Sequence, residues 1–469
     1  MFNELDDMVR GRPVDVPGIG LSVTIGDETR FVTDGVTNVE HALPVDSSTL
    51  FQLGSVSKTF TATAALALVD RGVLSLDGLV SRWLDPADLG DAAATLTLRH
   101  LLTHRGGWQG DWALFNAPRT RDASALRELM SMTPHVPRYA TPGAPFSYDN
   151  FGYCALGAVI EAATGQPFDD AVSSLVLEPL RLRGTVFHAD DAITRRIAAG
   201  HTLTATGDGV RAADGTEPWA DRWPTRRALW PTGGVVSSLT DAMTWARFHL
   251  DGTTAGEVAI SDPTRSLMQQ PQTPSGGQGV EIALGWHVRY ASGVRVLSHT
   301  GAAQGFFSLV LIIPERSTAM VILTNGANGP AVTEPTFRWL IERRLGLSLA
   351  APRLIEPAQD PAALNGTYQA VSRTIRLRSL GTGRVVAEVH DTGPTSGGTR
   401  TAEMRFAEGD RLVGTDDSTL RMEFGTLADG RRWLRYGGPN PRAHHVAVPG
   451  KPRILDAYPP SAMLHSIAP

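Results

Sequence analysis

The chain has one cysteine, Cys154, among 469 residues. No intrachain disulfide is therefore possible, and cysteine-rich zinc or iron–sulfur frameworks are excluded. Long apolar runs are missing as well; none approaches the roughly 20 residues that a helix needs to cross a bilayer. Excess positive charge is absent, with 43 Lys and Arg against 48 Asp and Glu and a formal net charge of −5. That leaves no electrostatic footprint for nucleic acid or an anionic membrane surface. The opening residues, MFNELDDMVRGRPVDVPG, are acidic and lack the apolar core of a secretory signal, so a cytoplasmic protein is expected. There is no G-x-S-x-G elbow, H-E-x-x-H, G-x-G-x-x-G or P-loop, so the α/β-hydrolase, zincin and nucleotide-binding readings lack their motifs. His444-His445 has no evident third ligand and reads as a strand end. No metal and no cofactor are expected.

What is present is ordinary globular composition, 42% hydrophobic and 19% charged, with 48 Gly and 31 Pro that fit many short strands and turns. Such a length predicts two or three domains. Ile19, Leu21, Val23 and Ile25 alternate as one face of a strand, and Arg30–Asp34 reads as its return partner. Helices are predicted from about Ser57 to Arg71, ended by Gly72, and from about Asn150 to Ala163, ended by Gly165. Arg99–His104 and Ala123–Met132 read as shorter helices, 190–235 as irregular covering structure, and Asp241–Leu250 as helix. Strands return at Ile282–Arg289, Val294–His299, Phe306–Ile313 and Ala319–Thr324, before a helix at about Val332–Leu345. The pattern is mixed α/β, with an antiparallel sheet fed from both ends of the segment. Residues 350–361, with Pro352, Pro357 and Pro361, read as a semi-rigid linker between a domain of residues 1–349 and another of residues 362–469. The second domain shows about eight short strands at near-regular spacing, from Thr367–Ala370 to His444–Val448, which predicts a small closed barrel.

Three short segments can carry chemistry. In Gly54-Ser55-Val56-Ser57-Lys58, Ser55 and Lys58 stand three apart at the front of a helix and so face one side. A partly desolvated lysine can take the serine's proton, and the helix N-terminus offers N–H groups to a developing oxyanion. The alternative is a capping serine beside a surface lysine. Tyr148-Asp149-Asn150 precedes the second long helix; a tyrosine near a lysine can act as acid or base, and an asparagine amide can hold the lysine or a carbonyl. The alternative is a capping Asn beside a packing Tyr. His299-Thr300-Gly301-Ala302 ends a strand, where Thr300 and Gly301 can bind an extended substrate and the following N–H can complete an oxyanion hole. Its alternative is a turn. Cys154, on an apolar helix, reads as buried and inert, and Ser57 as a helper. Trp230 is placed at the substrate, although it, Trp108 and Trp286 fit core packing equally.

Taken together and in this order, S-x-x-K, Y-x-N and H-T-G resemble the three active-site motifs of the penicillin-recognising serine hydrolases. That superfamily includes class C β-lactamases, DD-peptidases, family VIII esterases and D-aminopeptidases. Thr49–Gly54, Leu101–His104, Ile160–Gly165 and Gly233–Ser238 resemble it too, over roughly residues 10–348. The resemblance implies a β-lactamase/transpeptidase-like domain, an antiparallel sheet flanked by helices with a helical subdomain. It makes Ser55 the acylated nucleophile and Lys58 its base. Tyr148 becomes a proton relay, Asn150 orients Lys58 and a substrate carbonyl, and the N–H groups of Ser55 and Ala302 form the oxyanion hole. His299 stands where β-lactamases carry lysine, which disfavours receipt of a β-lactam carboxylate.

Leu364–Tyr368 resembles the start of the lipocalin-like barrels of D-aminopeptidases and of penicillin-binding-protein-type thioesterases, which release and macrocyclise nonribosomal peptides. That resemblance implies a peptidyl thioester on a carrier protein as partner, with a D-residue at the acyl position. Arg442, in a loop between two late strands, is a candidate to reach the cleft, the alternative being a solvated loop arginine. The runner-up activity is hydrolysis by a D-aminopeptidase, amidase or esterase of the same fold.

Overall fold

The computed structural model describes residues 3–204, 209–213, 226–254, 256–277, 280–326, 328–349, 353–357, 360–371, 373–381, 383–391, 398–415, 420–427, 429–437 and 445–449. The chain divides into two compact units; the described residues up to 349 belong to the first, and those of 353–437 and 445–449 to the second.

The first unit is built on an antiparallel sheet whose two ends of chain meet in the middle. Helix α1 (Asn3–Arg10) leads into β1 (Gly18–Ile25) and β2 (Glu28–Gly35). The later strands are β3 (Thr273–Gly277), β4 (Val280–Ile282), β5 (His287–Ala291), β6 (Val294–Ala303), β7 (Phe306–Ile313) and β8 (Thr318–Thr324). Their order is β2-β1-β8-β7-β6-β5-β4-β3, so β1 pairs with β8, Leu21 opposite Ile322. The alternation read in β1 is present, but Ser22 and Thr24 on its other face are buried as well. Both faces are covered. Leu5 and Val9 of α1 join Ile19, Leu21, Val23, Phe337 and Leu340 in a core on one side. On the other lies the helix Leu239–Asp251, whose Leu239 packs on Gly20 and whose Met243 Sδ accepts from Thr24 Oγ1.

Two more helices begin at the S-x-x-K and Y-x-N segments. Helix α2 (Ser57–Asp70) is buried at every position from Ser57 to Leu68, which requires an all-round apolar or internally bonded surface. Its threonines meet that demand by donating back to the helix, Thr63 Oγ1 to Thr59 O for example. Helix α3 (Asn150–Thr164) is capped by Asp149, which accepts from Gly152 N, and closed by Gly165 at φ +69°.

Some expectations are corrected. Ile282–Arg289 is not one strand. It is interrupted at 283–286, where Gly285, at φ +86°, turns against Ala62 of α2; a Cβ there would lie 2.7 Å from the Ala62 Cβ. The last helix is Pro330–Arg338 and then widens into a π-turn over Trp339–Arg344. Edge strand β3 was not anticipated.

The second unit is a closed eight-stranded antiparallel barrel, consistent with a lipocalin-like domain. Its strands are Gly366–Ala370, Arg373–Gly381, Arg384–Asp391, Gly398–Ala407, Arg411–Gly414, Arg421–Thr426, Arg432–Gly437 and His445–Pro449. The first and last pair, Gln369 opposite Val448, so no edge remains. Inward positions recur at period two: Val385, Ala387 and Val389 face Ile375, Leu377, Met404, Leu434 and Tyr368 in one core. Arg353–Ile355, inside the proline-bearing stretch, bond to Phe406–Glu408 of the barrel.

Candidate active site

Ser55 sits where a strand turns into α2. Leu50–Gln52 is followed by Leu53, then by a single 3-10 turn, Gly54–Val56. Gly54 has φ +50°, and a Cβ on it would fall 2.5 Å from Ala302 O and 2.7 Å from Ala302 N. Only glycine allows that turn to abut β6. The approach puts the start of α2 beside Ala302, which is exposed, with Ser55 half-buried next to it. Gly301 tightens the same seam, since its added Cβ would lie 1.8 Å from Leu53 O. Ser308 Oγ of β7 donates to that carbonyl at 2.7 Å.

Lys58, the second residue of α2 and one turn beyond Ser55, is completely buried. Its Nζ lies 3.4 Å from Ser55 Oγ, 2.8 Å from Asn150 Oδ1 and 2.9 Å from Thr232 O, and 4.8 Å from the centre of the Tyr148 ring. All three atoms bonded to it are neutral. Burial pushes the amine down to about 7, against the opposing pull of Cys154, Asp111 and Asp149. A substantial neutral fraction therefore exists at physiological pH, as a general base requires. Asp149 is pushed up to about 7 by its own burial, despite the N–H it accepts from Gly152.

Tyr148 is held by His104, which carries the positive φ of +56° at the end of Leu101–His104. The imidazole stacks on the tyrosine ring at 4.5 Å and 25°. Its Nδ1 accepts from Asp149 N at 2.9 Å, and its carbonyl accepts from Ser147 N at 3.0 Å. One residue thus fixes both the ring and the backbone of the Y-x-N segment.

Strand β6 supplies the opposite wall. Its pairing with β5 ends at Ser298 opposite His287, so residues 299–303 run on past β5. Thr300 and Gly301 are on this stretch. His299 is buried, Nδ1 donates to Thr300 O at 2.7 Å, and burial followed by the charge of Lys58 lowers its pKa to about 3. The imidazole is neutral wherever Lys58 titrates. It stacks on His287 at 4.9 Å.

The geometry brings Ser55, Lys58, Tyr148, Asn150, His299 and Ala302 into one place. Trp230 is different: it is buried, 4% exposed, against Phe187, His188 and Arg227, a packing position below the turn that carries Thr232. Trp108 and Trp286 are core as well. Cys154 is buried, with its thiol pKa pushed up by burial. Ser57 Oγ accepts from Val235 N at 2.9 Å, tying α2 to the Gly233–Ser238 segment. Arg442 and His444 lie outside the described residues. Sequence reading missed Thr232, Asp111 and His287. Among the described residues no group of three or more His, Cys, Asp or Glu could hold a metal, and no helix is long and apolar enough to cross a membrane.

A half-buried serine against a buried amine, between a tyrosine-bearing helix start and a strand that overruns its neighbour, defines the penicillin-binding and β-lactamase class of serine hydrolases. The chain belongs to the beta-lactamase family, whose model matches residues 5–343. It is 31% identical over 367 residues to penicillin-binding protein 4 of Amycolatopsis lactamdurans, covering 76% of this chain and 93% of that protein. It is 38% identical to esterase EstB of Burkholderia gladioli over 167 residues, 33% of this chain and 42% of that one. Among solved structures it is similar to SurE, with a TM-score of 0.73 and 26% identity over 94% of this chain and 97% of that chain; a structure of SurE with D-Leu gives 0.71.

Proposed function

We propose that the protein is a stand-alone penicillin-binding-protein-type thioesterase that releases a nonribosomal peptide as a head-to-tail macrocycle. Ser55 Oγ attacks the carbonyl of a peptidyl thioester carried by a carrier protein, and Lys58 takes the hydroxyl proton. The N–H groups of Ser55 and Ala302 receive the oxyanion. Tyr148 relays that proton from Lys58 to the departing thiolate, while Asn150 keeps Lys58 in place. The peptide's own N-terminal amine then attacks the Ser55 ester, forms the ring amide, and returns a proton to Ser55 Oγ through Tyr148. Thr300 and Gly301 bind the acyl segment as an added strand, and a D-residue occupies the acyl position. The proposed setting is the cytoplasm, and no cofactor takes part.

The observation that carries this reading is the similarity to SurE across both units, including a form solved with D-Leu. The neutral His299 agrees with it, since a site for an uncharged acyl chain has no use for a cation there. A second reading, hydrolysis of an ester or D-amino acid amide by the same acyl-enzyme, is favoured by the local identity to esterase EstB. The two differ in what attacks the ester: water for a hydrolase, an in-line amine for a cyclase. Offering a peptidyl thioester mimic with a C-terminal D-residue and weighing the products separates them. Cyclic product is expected; linear acid alone replaces the cyclase with a hydrolase, and an adduct on any residue but Ser55 overturns the site.

A further inference from the structure

Lys58 is buried without a carboxylate in direct contact, so something must keep its partners correctly oriented and offset its charge when protonated. The Asn150 amide is pinned from both ends. Its Oδ1 accepts from Lys58 Nζ at 2.8 Å and from Thr232 Oγ1 at 2.7 Å, and its Nδ2 donates to Asp111 Oδ1 at 3.1 Å. The amide nitrogen can only donate and finds its acceptor in Asp111 Oδ1, so Asp111 favours this orientation of the amide. The flipped amide would set its oxygen against the carboxylate and its NH2 against the ammonium.

Asp111 reaches this position because of the residue before it. A Cβ on Gly110 would lie 2.3 Å from Asp149 Cα and 2.5 Å from Asn150 N, and Gly110 O accepts from Phe151 N at 3.2 Å. The Gly110-Asp111 segment therefore lies directly on the first turn of α3, and Asp111 is buried there, 7% exposed.

We propose that Asp111 is a positioning residue of the active site: it holds the Asn150 amide toward Lys58 and supplies the buried counter-charge for that amine. This rests on the reading of Lys58 as the base. The ionisable groups facing Lys58 are Asp111, Asp149, Tyr153 and Cys154, with Tyr148 beneath the amine and His299 across the site. The Cys154 thiol and His299 are neutral near pH 7, and Asp111 and Asp149 are the carboxylates that draw on the amine. Asp149 already caps α3 through Gly152 N. Asp111 holds the protonated amine up, so removing its charge lets the amine lose its proton at lower pH.

Two variants separate the roles, read by the p-nitrophenolate burst on acylation with a p-nitrophenyl ester across pH. Asp111→Asn keeps an acceptor for Asn150 but removes the charge. The acidic limb of its profile should move to lower pH by roughly one unit, with the plateau nearly retained. Asp111→Ala removes the acceptor, and its plateau should fall roughly 10- to 100-fold with KM little changed. A purely structural residue would lower the melting temperature in both and leave the limb in place. An Asp111→Asn profile superposed on the unaltered protein's overturns the proposal, and decides alone if the alanine variant does not fold. Lys58→Ala serves as the control: a retained burst there refutes Lys58 as the base, whereas a lost burst with an unmoved Asp111→Asn limb refutes only the role of Asp111.

Discussion

Both units bury charged side chains against an opposite charge, as the first does with Arg227 on Asp169, but Lys58 of the first unit is treated in another way. In the barrel Arg435 is set on Glu423 and Arg373 on Asp391, with the exposed Arg400 3.5 Å from the same carboxylate. Arg373 and Arg400 also lie over the Tyr436 ring. In the first unit Lys58 is surrounded by a hydroxyl, an amide oxygen and a backbone carbonyl, with Asp111 one hydrogen bond further out. A charge buried against its counter-ion stays charged and serves architecture. One buried among neutral acceptors loses stability in its charged form and is driven toward the pH where it can exchange a proton. The difference in pairing, rather than in burial, separates Lys58 from the charged groups of the barrel.

The most direct way to break this comparison is to remove the reactive amine. Lys58→Ala should lower the acylation rate of Ser55 by about 10³-fold or more, read as acyl-enzyme by intact mass, while the fold persists. Unaltered acylation would leave the buried amine without a role. The barrel should respond in the opposite sense. Glu423→Leu strands Arg435 in the interior and should cost about 3 kcal/mol of stability, measured by denaturant unfolding, with the acylation rate unchanged.

Smaller effects sharpen it. Gly54→Ala forces a side chain onto Ala302 at a positive φ, and should slow acylation by roughly 100-fold through displacement of Ser55. For the unaltered protein, acylation should climb as pH rises through about 7, because Lys58 must be neutral to accept the proton. A rate flat between pH 5 and 9 (about two units either side of that pKa) would contradict the assignment. The smallest change is expected from His299→Lys, which puts a cation where the imidazole is neutral. It should raise labelling by a fluorescent penicillin roughly several-fold, and no gain would show that the position does not receive a carboxylate.

The placement of the three motif segments was legible because helical spacing and strand ends place residues by local geometry alone. Ser55 and Lys58 needed only the rule that positions three apart on a helix share a face. The inward rows of the barrel followed from period two, and its near-regular turns marked the strands. Other features had no local signal. Thr232 acts on Lys58 through a backbone carbonyl, which every residue has. Asp111 looked like one more loop acid, and His104 acts through a left-handed backbone and a ring stack. Trp230 could be read either way for a related reason, since an aromatic in an irregular segment looks the same whether it faces a cleft or a core. The break at 283–286 was hidden because its cause, the close pass of Gly285 over Ala62, belongs to another element.

By itself, the sequence determined which groups are available, the local spacing that sets serine, lysine and tyrosine at element ends, and the lack of disulfides. Only the tertiary structure decided what those groups are chemically. The Lys58 amine stands near 7 and the His299 ring is neutral because desolvation and neighbouring charge are properties of the packed surroundings. Those surroundings are drawn from α2, α3, β6 and the Gly110-Asp111 and Thr232 turns, segments far apart in the chain that meet only when it folds.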